Sequence, residues 1–171
     1  MIKQLEQLIE HIPDFPEKGV LFRDISPLLA QKFPETIEAM ASLISAEELE
    51  KTDAFAGIDA RGFIFASALA AKTGKNMLML RKSGKLPPPS LRKEYELEYG
   101  QSGIELRHLK PLSVFIVDDV LATGGTLKAA ADLCSEAGHT VHGFVTLIDL
   151  KFLNDFSWNN LTVRSLIQYE N

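Results

Sequence analysis

Three short apolar runs each stop at a polar loop, and this recurrence constrains the fold more than any other feature of the chain. "AFAGIDA" (Ala54 to Ala60) leads into Arg61 and Gly62, "NMLML" (Asn76 to Leu80) into "RKSGK", and "VFIV" (Val114 to Val117) into "DDVLATGGT". Short, near-continuous apolar runs bounded by turn residues read as strands buried on both faces. Between them "GFIFASALAA", stopped by Gly74, and Leu127 to Ala137, stopped by Gly138, read as helices. Alternating strand and helix predicts an α/β fold, a parallel sheet flanked by helices on both faces. In such sheets ligands sit outside the carboxyl ends of the strands, where these three loops lie.

The remaining elements are placed around that pattern. "MIKQLEQLIEHI" reads as an amphipathic helix, and the prolines and glycine of residues 13–29 predict extended, irregular chain. Ile37, Met40, Leu43 and Ile44 fall at helical spacing within a helix over 33–51, and "TVHGFVTLIDL" makes a fourth strand. "LTVRSLIQY" alternates as a last strand, with its place in the sheet left open. The long segment from Ser83 to Ser113 lacks strong periodicity, is stiffened by Pro87 to Pro89, and reads as a lid. With no repeat and no linker, residues 1–171 are expected to form one domain.

Composition narrows the functional classes. The single cysteine, Cys134, excludes an internal disulfide and points to a reducing cytoplasm; its helical neighbours Ala130 and Ala137 suggest core packing. His11, His108, His139 and His142 match no nucleophile or metal spacing. The N-terminus lacks the order of a signal peptide, and the longest apolar run falls short of the roughly 20 residues of a membrane span. A net charge of −5 argues against general nucleic-acid binding. Locally, however, Arg81, Lys82, Lys85, Arg92 and Lys93 are accompanied by no acid. Screening over roughly 8 Å lets that patch set the potential felt by a nearby small anion.

"ATGGT" (Ala122, Thr123, Gly124, Gly125, Thr126) offers freed backbone N–H groups, two hydroxyls and a helix start, which together make an anion nest. It lacks the lysine of a P-loop and the spacing of a dinucleotide fingerprint. Asp118 and Asp119 would repel a phosphate beside them, so they call for a ligand part that donates hydrogen bonds. A ribose 5-phosphate meets both demands, its phosphate on the nest and its hydroxyls on the acids. The competing reading of the pair is a turn whose acids favour a helix dipole.

An apolar run followed by "DDVLATGGT" resembles the phosphoribosyl pyrophosphate signature of the type I phosphoribosyltransferases. "GVLFRDISPLL", "GIDARGFIF", "RKSGKLP", "LEYG" and "VDDVLATGGT" follow the order and approximate spacing found in the adenine-using members of that family, over most of Pro13 to Ile148. The resemblance implies a parallel sheet flanked by helices, with a small N-terminal hood and a mobile lid loop. It implies transfer of a phosphoribosyl group from phosphoribosyl pyrophosphate to adenine, giving AMP and pyrophosphate in purine salvage, with Mg²⁺ on the polyphosphate. Carried over by motif, Arg61, Gly62, Arg81, Lys82 and Lys85 would hold pyrophosphate. Leu21, Phe22, Arg23 and Val120 would bind adenine, with Phe22 stacking. Glu98 would be the acid/base near the purine, and Asp118 and Asp119 would act catalytically as well as bind. Lys85 would reach a neighbouring subunit, which implies a homodimer. Alternatives are the same transfer to hypoxanthine, guanine or xanthine, or a regulator of this fold that senses phosphoribosyl pyrophosphate. "GVLFRD" speaks for adenine, and no basic nucleic-acid module is evident.

Overall fold

The computed structural model describes residues 2–97 and 100–171. The first helix, α1 (Ile2–Glu6), ends well short of the expected Ile12. Leu5 and Ile9 are buried as helical spacing requires, but the chain then enters a hairpin of β1 (Glu10–Pro13) and β2 (Leu21–Asp24). Ile12 lies opposite Phe22 in its register. Pro13 and Pro16 bar the helix from continuing, and strand pairing satisfies backbone groups that a frayed helix end would leave open. Asp14 braces the turn by accepting the Gly19 N–H at 2.7 Å, and Phe15 packs edge-on against Phe22 at 5.2 Å between centroids.

Proline also moves the next boundaries. Helix α2 (Ser26–Ala41) starts inside the stretch expected to be irregular, because Pro27 occupies the first turn, where a missing N–H costs no hydrogen bond. Asp24 accepts from the Ser26 N–H and hydroxyl, at 3.0 and 2.6 Å. Pro34 then kinks α2, leaving Lys32 outside helical geometry. The helix expected over 33–51 is divided as well: Ser45 and Glu48 form a capping box that starts α3 (Ala46–Lys51).

Beyond α3 the chain runs through β3 (Ala54–Ile58), α4 (Gly62–Thr73), β4 (Asn76–Lys82), β5 (Ser90–Leu97) and β6 (Gly100–Arg107). It continues through β7 (Ser113–Leu121), α5 (Gly125–Glu136), β8 (Thr140–Leu150) and β9 (Val163–Tyr169). These strands form one sheet in the order β5-β6-β4-β3-β7-β8-β9. β4, β3, β7, β8 and β9 are parallel, and β5 and β6 add an antiparallel edge. The alternating tail thus joins the main sheet, beside β8. From β3 the chain moves outward to β4, and from β7 it moves outward the other way to β8. Right-handed crossovers in opposite directions put α4 and α5 on opposite faces. Accordingly α4 joins α2 over Phe55 and Phe115, while α5 packs over Ile116 and Phe144.

The segment expected to be an aperiodic lid is largely the β5–β6 hairpin. Leu91, Lys93 and Tyr95 alternate inward toward α5, where Lys93 pairs with Glu136, and Ile104 and Leu106 are buried. The alternation is present in the sequence but is masked by charged residues on both faces. Buried Glu105 organises the turn that precedes the hairpin, accepting the N–H groups of Lys85 and Leu86, both at 2.5 Å. Burial pushes its carboxyl up, but the N–H groups of Gly84, Leu86 and Lys85 outweigh that and hold it below its ordinary value. A depressed folded value stabilises above the unfolded pKa and is lost as pH falls through the folded one. Glu105→Gln is therefore expected to destabilise the protein by about 1–3 kcal/mol at neutral pH, read as a lower thermal midpoint. The gap between variant and parent should close as pH drops below the carboxylate range; a gap that persists there would remove the ionised carboxylate from the account.

Candidate functional site

Parallel pairing of β3 with β7 brings the loops that leave their carboxyl ends side by side. After β3 come Asp59, Ala60 and Arg61, the Asp59–Ala60 peptide being cis, and after the apolar part of β7 come Asp118 and Asp119. The approach is close at Gly62: a Cβ there would lie 2.8 Å from the Val117 carbonyl oxygen and 3.0 Å from Asp118 Oδ1. Only a residue without a side chain lets α4 start against β7 in this way. Arg61 Nε pairs with Asp119 Oδ2 at 2.9 Å, and the same guanidinium sits 5.6 Å from the Phe22 ring centroid. Asp119 is 5% exposed, and its own N–H donates to Asp118 Oδ1 at 2.9 Å. Burial, and then the adjacent Asp119 charge, push the Asp118 carboxyl well above the usual carboxylate range.

Three cavities meet at this pair. The first, about 140 Å³, lies between the β1–β2 hairpin and the sheet; Leu21, Phe22, Arg23, Arg61, Val120 and Ala122 line it, with Ile148 and Leu150. The second, about 180 Å³, is formed by Asp118 and the loop from Val120 to Gly124 with Thr126. The third, about 360 Å³, lies between Asp59, Arg61, Lys82, Asp118 and Asp119, with Tyr95 and Ser102 of the β5–β6 hairpin on its far side. Asp119 borders the first and third, Asp118 the second and third.

The second cavity is suited to an anion. Gly124 has φ +92°, and no side chain caps α5 among the described residues, so the first N–H groups of that helix are open to a ligand. Thr123 is exposed and Thr126 half-buried at its rim. The third cavity carries the cations Arg61 and Lys82.

Most of the residues singled out from sequence converge here, and some do not. Arg81 is engaged by Asp59 at 3.1 Å and lies 5.9 Å from the Phe63 ring centroid. Lys85 is exposed on the turn held by Glu105; neither cation is among the described residues lining the three cavities. The Arg23 guanidinium turns from the cleft to stack 4.4 Å from the Tyr169 ring centroid. Glu98 lies outside the described residues. Asp59, which also accepts the Lys82 N–H at 3.2 Å, was not singled out, although it opens "DARG". Ile148 and Leu150, which floor the first cavity, carry no signal beyond an apolar strand. Cys134 is buried, its thiol pushed up to about 12, so it serves as core. No helix of the described residues is long and apolar enough to cross a membrane.

Comparison with known proteins agrees with this geometry. Residues 28–151 match the phosphoribosyl transferase domain model. The chain is 50% identical over 166 residues to an adenine phosphoribosyltransferase of Hydrogenovibrio crunogenus, covering 97% of this chain and 96% of that one. Among solved structures it is similar to adenine phosphoribosyltransferase from Thermoanaerobacter pseudethanolicus, with TM-score 0.89, 37% identity, and 99% and 100% of the two chains covered. It is also similar to the Saccharomyces cerevisiae enzyme complexed with an imino-altritol bisphosphate and adenine, with TM-score 0.87, 30% identity, and 96% and 97% covered.

The adjacent carboxylates give a direct test. Asp118 is expected to titrate well above ordinary carboxylates in a carbon-13 NMR titration, and Asp119→Asn should lower its midpoint while leaving it raised, because burial remains. By linkage, the raised value stabilises below the unfolded pKa and is lost as pH rises through the folded one. An Asp118 midpoint that Asp119→Asn does not move would remove the charge coupling.

Proposed function

The chain belongs to the phosphoribosyltransferase family, and from that membership we propose that it transfers the phosphoribosyl group of phosphoribosyl pyrophosphate to adenine. The products are AMP and pyrophosphate, a purine-salvage reaction. One observation carries the reading: Asp118 and Asp119 stand where an apolar cleft, the glycine loop at the start of α5 and a cavity that Arg61 and Lys82 enter meet. That is the arrangement needed by a sugar that carries a phosphate at C5 and exchanges pyrophosphate for a base at C1.

In this assignment Ala122, Thr123, Gly124, Gly125 and Thr126 hold the ribose 5-phosphate through main-chain N–H groups and hydroxyls. Asp118 and Asp119 accept hydrogen bonds from the ribose hydroxyls. Leu21, Phe22, Arg23 and Val120 bind adenine, with Phe22 and Val120 covering the purine and backbone amides reading its edge. Arg61, Gly62 and Lys82 hold the pyrophosphate, and Arg81 and Lys85 extend the positive field around it. Glu98 completes the set as the acid/base at the purine.

As the bond from the sugar to pyrophosphate breaks, positive charge grows on the ring and negative charge on the leaving group. The Asp118–Asp119 pair, whose ionised form growing positive charge favours, faces the first, and Arg61 and Lys82 face the second. Arg61 borders both the base cleft and the pyrophosphate cavity, so it is placed to respond to both ligands. Mg²⁺ favours phosphate oxygens and water, and among the described residues no group of three or more His, Cys, Asp or Glu side chains is arranged to hold a metal ion. It would be held mainly through the substrate's own oxygens and water, and when bound would neutralise charge on the departing pyrophosphate. The β5–β6 hairpin, with Tyr95 and Ser102 on the cavity, serves as the lid that excludes water.

The protein works as a single cytoplasmic domain that pairs into a homodimer. Its free buried cysteine suits a reducing compartment, and the α4 side of the sheet leaves Met79 46% and Ile64 37% exposed. Light scattering should give twice the 18.9 kDa chain mass; a monomer at assay concentration would rule the dimer out.

Pyrophosphate release, measured with phosphoribosyl pyrophosphate, Mg²⁺ and each purine in turn, should be fastest with adenine. Release with guanine or hypoxanthine alone would overturn the base assignment. In the same assay Asp119→Asn should lower kcat by about 10²-fold; unchanged turnover would remove the carboxylate from the mechanism.

A further inference from the structure

The segment that follows β8 has no part in the site as built so far, yet one of its side chains stands directly behind it. A Cβ added to Gly124 would lie 2.7 Å from Cδ2 of Phe156, so the ring fills the space that any side chain at 124 would need. Gly124 is the left-handed residue, φ +92°, that turns the loop into α5.

Phe156 is itself held in place. Its ring meets Phe144 edge-on at 5.1 Å between centroids, and its N–H donates to the Asn154 side-chain oxygen at 3.2 Å. Asn154 in turn donates to Asp149 Oδ1 at 3.1 Å and to the Leu150 carbonyl at 2.9 Å, which fixes the segment to the end of β8. On the other side of Phe156, Trp158 Nε1 donates to Asp132 Oδ1 of α5 at 2.8 Å. The segment is therefore a strap, tied to β8 at one end and α5 at the other, with the Phe156 ring pressed on Gly124 between the ties.

We propose that Phe156 is a positioning residue for substrate binding: it seats Gly124 so that the N–H groups of residues 122–126 converge on the 5-phosphate. The proposal rests on the assignment of that loop to the phosphate. Glycine populates positive and negative φ almost equally, so an unsupported Gly124 would sample conformations in which those N–H groups diverge. An anion nest works only while successive N–H groups point at one place, and donors aligned beforehand need no reorganisation when the anion arrives. Phe156 is not among the described residues that line the three cavities, so it acts on the ligand through Gly124. A ring that only filled core would affect stability without favouring one substrate over the other.

Steady-state kinetics of Phe156→Ala, Phe156→Leu and Thr126→Ala, each varied in both substrates, separate these cases. Phe156→Ala should raise KM for phosphoribosyl pyrophosphate about tenfold while KM for adenine and kcat stay within about twofold. Phe156→Leu, which keeps bulk over Gly124, should restore most of the loss, and Thr126→Ala should raise the same KM by removing a contact. If the alanine variant does not fold, Phe156→Val takes its place. Should Thr126→Ala raise that KM while the residue 156 variant leaves it unchanged, or alters both KM values and kcat together, Phe156 is not a positioning residue. Should Thr126→Ala leave that KM unmoved, the phosphate assignment of the loop itself fails.

Discussion

Everything at the site depends on the parallel pairing of β3 with β7. Because the chain leaves these neighbours in opposite directions, toward β4 and toward β8, their outgoing loops separate above the sheet and a crevice opens between them. Gly62 sets how narrow that crevice is, since α4 begins in direct contact with the Val117 carbonyl and Asp118. The loop bearing Arg61 is thereby placed within ion-pair distance of Asp119, although the two residues are far apart in the chain.

Electrostatics at the crevice follows from this crowding. Burial at the sheet end, and then the adjacent Asp119 charge, raise the Asp118 carboxyl. Arg61 offsets one of the charges and at the same time borders the first cavity near Phe22. A site so arranged holds an uneven charge distribution in the free protein, with acids at the centre and open N–H groups and cations on separate sides. A ribose carrying an anion on each of two arms has the complementary distribution.

Side chains on α5 couple the periphery to this centre. Asp132 on α5 accepts from Trp158 of the strap at 2.8 Å and from Lys128 at 2.7 Å, and it lies 3.9 Å from Lys93 of the hairpin. Burial raises its carboxyl, but Lys128 and Trp158 outweigh that and lower it overall. One carboxylate thus ties the hairpin over the site and the strap behind it to the helix whose N-terminus borders the second cavity.

Local chemistry made much of this legible. Apolar runs, the left-handed stop at Gly74 and the glycine loop from Ala122 to Thr126 are encoded by neighbouring residues, so α4, α5, the parallel strands and the two acids could be read directly. The β5–β6 hairpin is obscured because its inward positions include half-buried Lys93, a charged residue whose partners Glu136 and Asp132 lie on a distant helix. The helix expected through Ile12 gave way to β1 because pairing with β2 is a non-local gain that local spacing does not record. Phe156 likewise reads as an ordinary apolar residue in a loop. Sequence alone therefore determined which groups could bind an anion, accept from a sugar or bury themselves, since those properties belong to single residues and short spacings. Which of them share one crevice was decided by the order of strands in the sheet, because contacts across that order join residues whose separation along the chain carries no signal.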